Sequence, residues 1–67
     1  MKYYILTGEH VDGPRGVVML FGDYDRKIVE AEADSLGGDY SVKRRRIYVL
    51  TDDSQEAIDR KIETLNP

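Results

Sequence analysis

The chain contains no cysteine, no tryptophan, one histidine and one phenylalanine in 67 residues. Without cysteine there are no disulfides, no thiol chemistry and no thiolate-ligated metal. A single histidine would leave a zinc site to be completed by carboxylates, an unusual ligand set. The reading therefore expects neither a metal nor a cofactor. The longest apolar run is Val17 to Phe21, far short of the roughly 20 residues that cross a bilayer as a helix. Lys2 is followed by only four apolar residues, too few for a secretory signal. No membrane contact and a cytoplasmic location are the corresponding expectations. Nor does one sign of charge dominate. Thirteen acidic and ten basic side chains give −3, which is ordinary for a soluble protein and no global signature of nucleic-acid binding. With 40% apolar and 34% charged residues the chain is not disordered. At this length it forms a single domain, 1–67, that buries only about 60% of its unfolded surface, so its core is marginal.

What is present reads as a short α+β pattern. Tyr3 to Thr7 is β-branched and aromatic, a first strand. Gly8 to Gly16 is a loop with Asp12-Gly13-Pro14 as its tight turn. Val17 to Phe21 is a second strand, antiparallel to the first because nine residues are too few for a crossover. From Tyr24 to Leu36 the period changes: Val29, Ala33 and Leu36 share one helical stripe, with Ile28 beside them. Asp23 is the expected cap, and Gly37-Gly38 the expected left-handed closure. Asp39 to Leu50 returns to strand chemistry around the run Lys43-Arg44-Arg45-Arg46. Tyr40 and Val42 differ in parity from Ile47 and Val49, so this segment is either one bulged strand or a hairpin. No Asn or Gly is present for a two-residue turn, and the long bulged strand is preferred. Asp53 and Glu56 read as a capping pair for a second helix. Its stripe is Ile58, Ile62 and Leu65, it carries an exposed Glu56–Arg60 pair, and Asn66-Pro67 stops it. The expected architecture is a small two-layer domain, ββαβα or ββαββα. Two helices lie on one face of an antiparallel sheet of three or four strands.

These strands are apolar on both parities, whereas a sheet with one wet face should alternate. With both helices on one face, the other would expose Tyr3, Ile5, Val17, Met19, Phe21 and Tyr48, more than a monomer usually leaves open. A second copy of the chain is the expected cover, giving a homodimer. The competing arrangement is one helix on each face of a monomer.

Charge is segregated. Residues 23–36 and 51–67 each carry five acids and two bases, which leaves the remaining residues at +3. On a regular strand Lys43 and Arg45 would face one side, Arg44 and Arg46 the other. The run reads either as a solvated tip that blunts an edge strand, or, with Arg15, as an anion- or partner-binding element. The 8–16 loop holds His10, Glu9, Asp12 and Arg15, but no nucleophile accompanies them and no catalytic residue is assigned. The acids of Asp23-Tyr24-Asp25 and Asp52-Asp53 are explained by helix caps rather than by a metal. The functional expectation is a non-enzymatic protein-interaction module. It is a dimer that binds and modulates, or inhibits, a larger protein through its apolar sheet face and residues 43–46. By composition alone it has the profile of small regulators encoded by viruses and mobile elements. The alternative is a nucleic-acid-binding module that contacts phosphates through Lys43 to Arg46 and Arg15.

Overall fold

A computed structural model of the chain describes residues 2–13, 15–38 and 40–66. Strands β1 (Tyr3–His10) and β2 (Val17–Asp23) are followed by helix α1 (Arg26–Ser35), which tightens into a 3₁₀ turn at Leu36–Gly38. Strand β3 (Val42–Leu50) and helix α2 (Gln55–Leu65) complete the chain. The sheet order is β2-β1-β3, and β1 is antiparallel to both neighbours. This is the expected α+β domain, ββαβα, with a three-stranded antiparallel sheet. Residues 42–50 form one strand, not a hairpin, and the bulge is there. Thr7 pairs with Arg46 while Glu9 pairs with Lys43, so β3 holds one residue more than β1 over this step. Arg44 absorbs it at φ 55°, a left-handed conformation rare outside glycine.

The helices do not share a face. Leu6 lines a groove with Ala33 of α1 and with its register partner Ile47, and Arg26 of α1 sits 6.0 Å from the Tyr4 ring. On β3 the neighbour of Ile47 is Tyr48, the register partner of Ile5, and its ring carries Lys61 Nζ of α2 at 4.8 Å. Adjacent strand residues point to opposite sides, so α1 covers the side of Tyr4, Leu6 and Ile47. Helix α2 covers the side of Ile5 and Tyr48. Connectivity demands this. Helix α1 leads from the end of β2 to the start of β3, and α2 leads from the end of β3 back to the start of β2, where Asn66 bonds Val17. These paths are the two diagonals of one sheet, and two helices cannot cross on the same face.

The core accordingly has residues from both sides of β1. Ile5 and Leu6 are both 0% exposed and Val29 joins them, with Val42 and Ile58 nearly as buried. The apolar surplus of the strands is covered within one chain, so the ground for expecting a dimer through an open sheet face is gone. The face assignments also change at a second bulge. Leu6 pairs with Phe21 but Thr7 with Met19, which leaves Leu20 as the extra residue and puts Phe21 on the α1 side. Met19 stays on the α2 side, where its Cε would crowd a Cβ at Gly22 to 2.6 Å. Tyr3 lies over the same glycine, so residue 22 has no room for a side chain.

Both helix starts repeat one device. Asp23 Oδ1 accepts from Asp25 N at 2.8 Å, and Asp25 caps α1 by accepting from Lys27 N. Asp52 Oδ1 accepts from Ser54 N at 2.9 Å, and Ser54 caps α2 by accepting from Ala57 N. The expected caps, Asp23 and Asp53, are each displaced. Asp23 is still paired to Tyr4 as the last residue of β2, so the helix cannot begin there. Gly37 and Gly38 do not take up the left-handed closure; Leu36 is the C-cap and accepts from the Arg45 guanidinium at 3.2 Å. Tyr40, expected within the third strand, is 93% exposed in the turn before β3. Parts of the expectations for the Asp12-Gly13-Pro14 turn, for a strand beginning at Asp39 and for the stop at Pro67 lie outside the described residues.

Asn66 ties the end of α2 to the free edge of β2. Its side-chain Oδ1 accepts from Val17 N at 2.6 Å, and its Nδ2 donates to Val17 O at 2.8 Å and to Ile62 O at 3.1 Å. A two-way exchange with one residue's N–H and C=O is what a neighbouring strand would provide. Gly16 makes this approach possible. It has φ 120°, and a Cβ there would come within 2.8 Å of Asn66 Oδ1. Replacing Asn66 with alanine removes all three bonds and should cost about 1–3 kcal/mol, seen as a lowered urea midpoint. Thr64→Ala removes one exposed bond within the same helix and should cost under about 1 kcal/mol. Equal losses for the two variants would show that the edge contact contributes nothing.

Candidate partner interface

Strand β3 is an edge strand, and its two ends differ. Towards Leu50 it is overlaid by the start of α2. Towards Val42 it lies off that helix, because α2 crosses to the β2 edge, where Asn66 is fixed. The basic run sits at this uncovered end. Lys43 and Arg46 pair in register with Glu9 and Thr7, which share the α2 side of β1 with Ile5. Arg44 reaches the same side, donating from Nη1 to Glu9 Oε2 at 3.2 Å. Only Arg45 goes to the α1 side, to the Leu36 carbonyl, where a cation suits the negative end of the helix. The regular alternation expected from the sequence, Lys43 with Arg45 against Arg44 with Arg46, is broken by the bulge at Arg44.

The result is three cations on one side of an exposed edge: Lys43, Arg44 and Arg46. Lys61, over the Tyr48 ring, continues the row from α2. Lys43 and Arg46 are exposed, and among the described residues neither makes a salt bridge; the bridges there are Arg26–Glu30, Arg44–Glu9 and Arg60–Glu56. Thr7, buried beneath, donates from its hydroxyl to the Arg46 carbonyl at 3.3 Å and so anchors the strand beside the bulge. This asymmetry was beyond sequence reasoning, because it depends on which residue takes the extra position. The parity mismatch between Val42 and Ile47 was its signal.

The other expected site residues are dispersed. Arg15 is exposed just ahead of Val17, at the same end of the sheet but on the opposite edge. Ile5 is fully buried, Tyr3 and Tyr48 are half-buried under the α2 side, and Val17, Met19 and Phe21 are divided between the two faces. They do not make one surface. His10 is the exposed last residue of β1, with no hydrogen bond to Asp12 among the described residues. Asp23, Asp25 and Asp52 accept backbone N–H groups at the helix starts, and among the described residues no three potential metal ligands cluster. No helix is long and apolar enough to cross a membrane.

At the far end of the sheet the helix starts are joined by a bond no motif announced. The Tyr24 hydroxyl donates to Asp53 Oδ2, and the Tyr24 ring packs edge-on against Tyr3 at 4.9 Å. The carboxylate holds the phenolic proton, so Tyr24 ionises above the ordinary tyrosine range, with the charge of Asp53 adding to the effect. A raised pKa means that this contribution is complete below about pH 10 and lost as pH rises through the folded-state value. Because Tyr24 is half-exposed the effect on stability is small. In an ultraviolet titration of the five tyrosines, Tyr24→Phe should remove a phenol that ionises above the ordinary tyrosine range. Asp53→Ala should lower the midpoint of that phenol; an unchanged curve would show that the bond does not form in solution.

No family model matches this chain, and no similar curated protein or solved structure is found.

Proposed function

We propose that this protein is a non-enzymatic interaction module that docks on an acidic surface of a larger protein through the uncovered end of β3 and thereby modulates that partner. The observation that carries the reading is the gathering of Lys43, Arg44 and Arg46 on one side of an exposed edge, with Lys61 alongside. Cations set apart from the acidic helices give the molecule a charge polarity that steers an acidic partner to one side. Self-association along this edge is disfavoured, since it would gather the basic runs of two copies at one seam.

Nucleic-acid phosphates would satisfy the same cations. A protein partner is favoured because the two acid-rich helices cover both faces of the sheet, and a polyanion with a charge every ~1.7 Å extends well beyond the basic corner into their field.

The test is Lys43→Glu combined with Arg46→Glu, two positions outside the core that make no salt bridge among the described residues. The variant should keep the wild-type circular dichroism spectrum and lose its partner when immobilised protein is challenged with lysate of the source cells. Retention of the same partner by the variant would overturn the proposal. A gel shift of DNA or RNA at tens of micromolar that disappears in the variant would replace it with the phosphate reading.

A further inference from the structure

The geometry points to a mode of binding for this site: β3 accepts an extended peptide as a fourth strand, and the peptide it suits alternates acidic and apolar residues. This rests on the protein-partner reading above and specifies it.

Among the described residues the sheet's two outer edges differ: β2 is capped at its start and β3 is not. Asn66 occupies the start of β2, matching the N–H and C=O of Val17 as a strand would. Strand β3 is terminal in the order β2-β1-β3, and among the described residues no element lies on its outer side. Its upper part is interrupted at Arg44, where φ 55° turns the backbone out of register. Beyond the bulge Arg46–Leu50 pairs regularly with β1, a straight stretch of roughly 17 Å, a typical strand length. An edge of this kind offers a row of backbone donors and acceptors that strand addition uses for affinity, while side chains on the two faces set specificity.

Those faces differ. On the α2 side, Arg46 and the Tyr48–Lys61 pair, with Lys43 beyond the bulge, are cationic. On the α1 side the same stretch presents Ile47 and Val49. Val49 is 53% exposed, and Ile47 sits with Leu6 and Ala33 on the floor of an open groove that Arg26, Asp34 and the flanking Arg45 and Arg46 also line. Side chains of an added strand alternate between these environments every residue. The complementary ligand therefore carries Glu or Asp at one parity and Val, Ile or Leu at the other. Charge complementarity selects an acidic strand over a second copy of β3, which would bring a further run of four cations, Lys43 to Arg46, to the same edge.

The experiment uses the intact chain and a fluorescent peptide of about eight residues alternating Glu and Val. Binding should be measurable by anisotropy at low salt, with amide shift changes centred on Arg46–Leu50. It should weaken at least about tenfold when the same residues are arranged as a Glu block and a Val block, and when Lys replaces Glu. Methylating alternate backbone nitrogens of the peptide should weaken it by a similar factor for one parity and not for the other. Equal binding of the alternating, block and methylated peptides would overturn strand addition and leave a charge-only docking site. If no peptide binds while an acidic folded protein is retained through Lys43 and Arg46, strand addition fails and the proposed function stands. If neither is retained, both fail. Displacement of the peptide by an oligonucleotide of equal charge at lower concentration would assign the edge to phosphates instead.

Discussion

Everything in this structure depends on covering both sides of one strand. Ile5 and Leu6 are consecutive, point to opposite faces and are both completely buried. A chain of 67 residues has two helices to do this with, and burying a side chain of this size contributes roughly 1.5–3 kcal/mol. Stacking both helices on one side would leave half of that contribution to a partner. Sending α1 and α2 along opposite diagonals, one per face, lets a small domain bury the centre of its sheet unaided. The cost appears at the periphery, where three strands are too narrow to protect their own edges.

The two edges are handled differently, and the difference is what makes one of them a candidate interface. The β2 edge is capped at its start by a single amide, Asn66, against a glycine that leaves space for it. The β3 edge is defended by charge and by a bulge, the usual devices against indiscriminate pairing. Charge, however, repels only like charge. Cations that would oppose a copy of the same edge would attract an acidic strand, so on the proposal above one feature serves both defence and partner choice. The bulge at Arg44 serves both purposes. It shortens the free edge and moves Arg44 to the side of Lys43 and Arg46, concentrating three positive charges where regular alternation would have split four evenly.

Much of the fold was legible in the sequence because its signals are local. β-branched runs, the change of period at Tyr24, and the stripes through Val29 and Ile58 mark the elements and their order, and the parity mismatch in residues 40–49 marks the bulge. Less was legible where the outcome depends on distant parts of the chain. Helix starts were misplaced by one or two residues because runs such as Asp23-Tyr24-Asp25 and Asp52-Asp53-Ser54 contain several capable caps, and strand pairing decides which is used. The apolar excess of the strands was read correctly as a demand for cover on both faces. The pattern does not say whether that cover comes from a second copy or from one helix on each face, because the placement of the helices follows from strand order, which no local pattern carries. The link from Tyr24 to Asp53 and the closure of β2 by Asn66 join residues 29 and 49 positions apart, and had no sequence signal at all.

The most direct test of this account is an isotope-filtered nuclear Overhauser experiment at a concentration where sedimentation gives a single chain mass. Contacts within one chain should connect Ala33 and Arg26 of α1 with Tyr4, Leu6 and Ile47, and Lys61 of α2 with Tyr48, the two sets sharing no strand side chain. Contacts from both helices to the same set, or contacts to Tyr48 that arise only between chains, would contradict it.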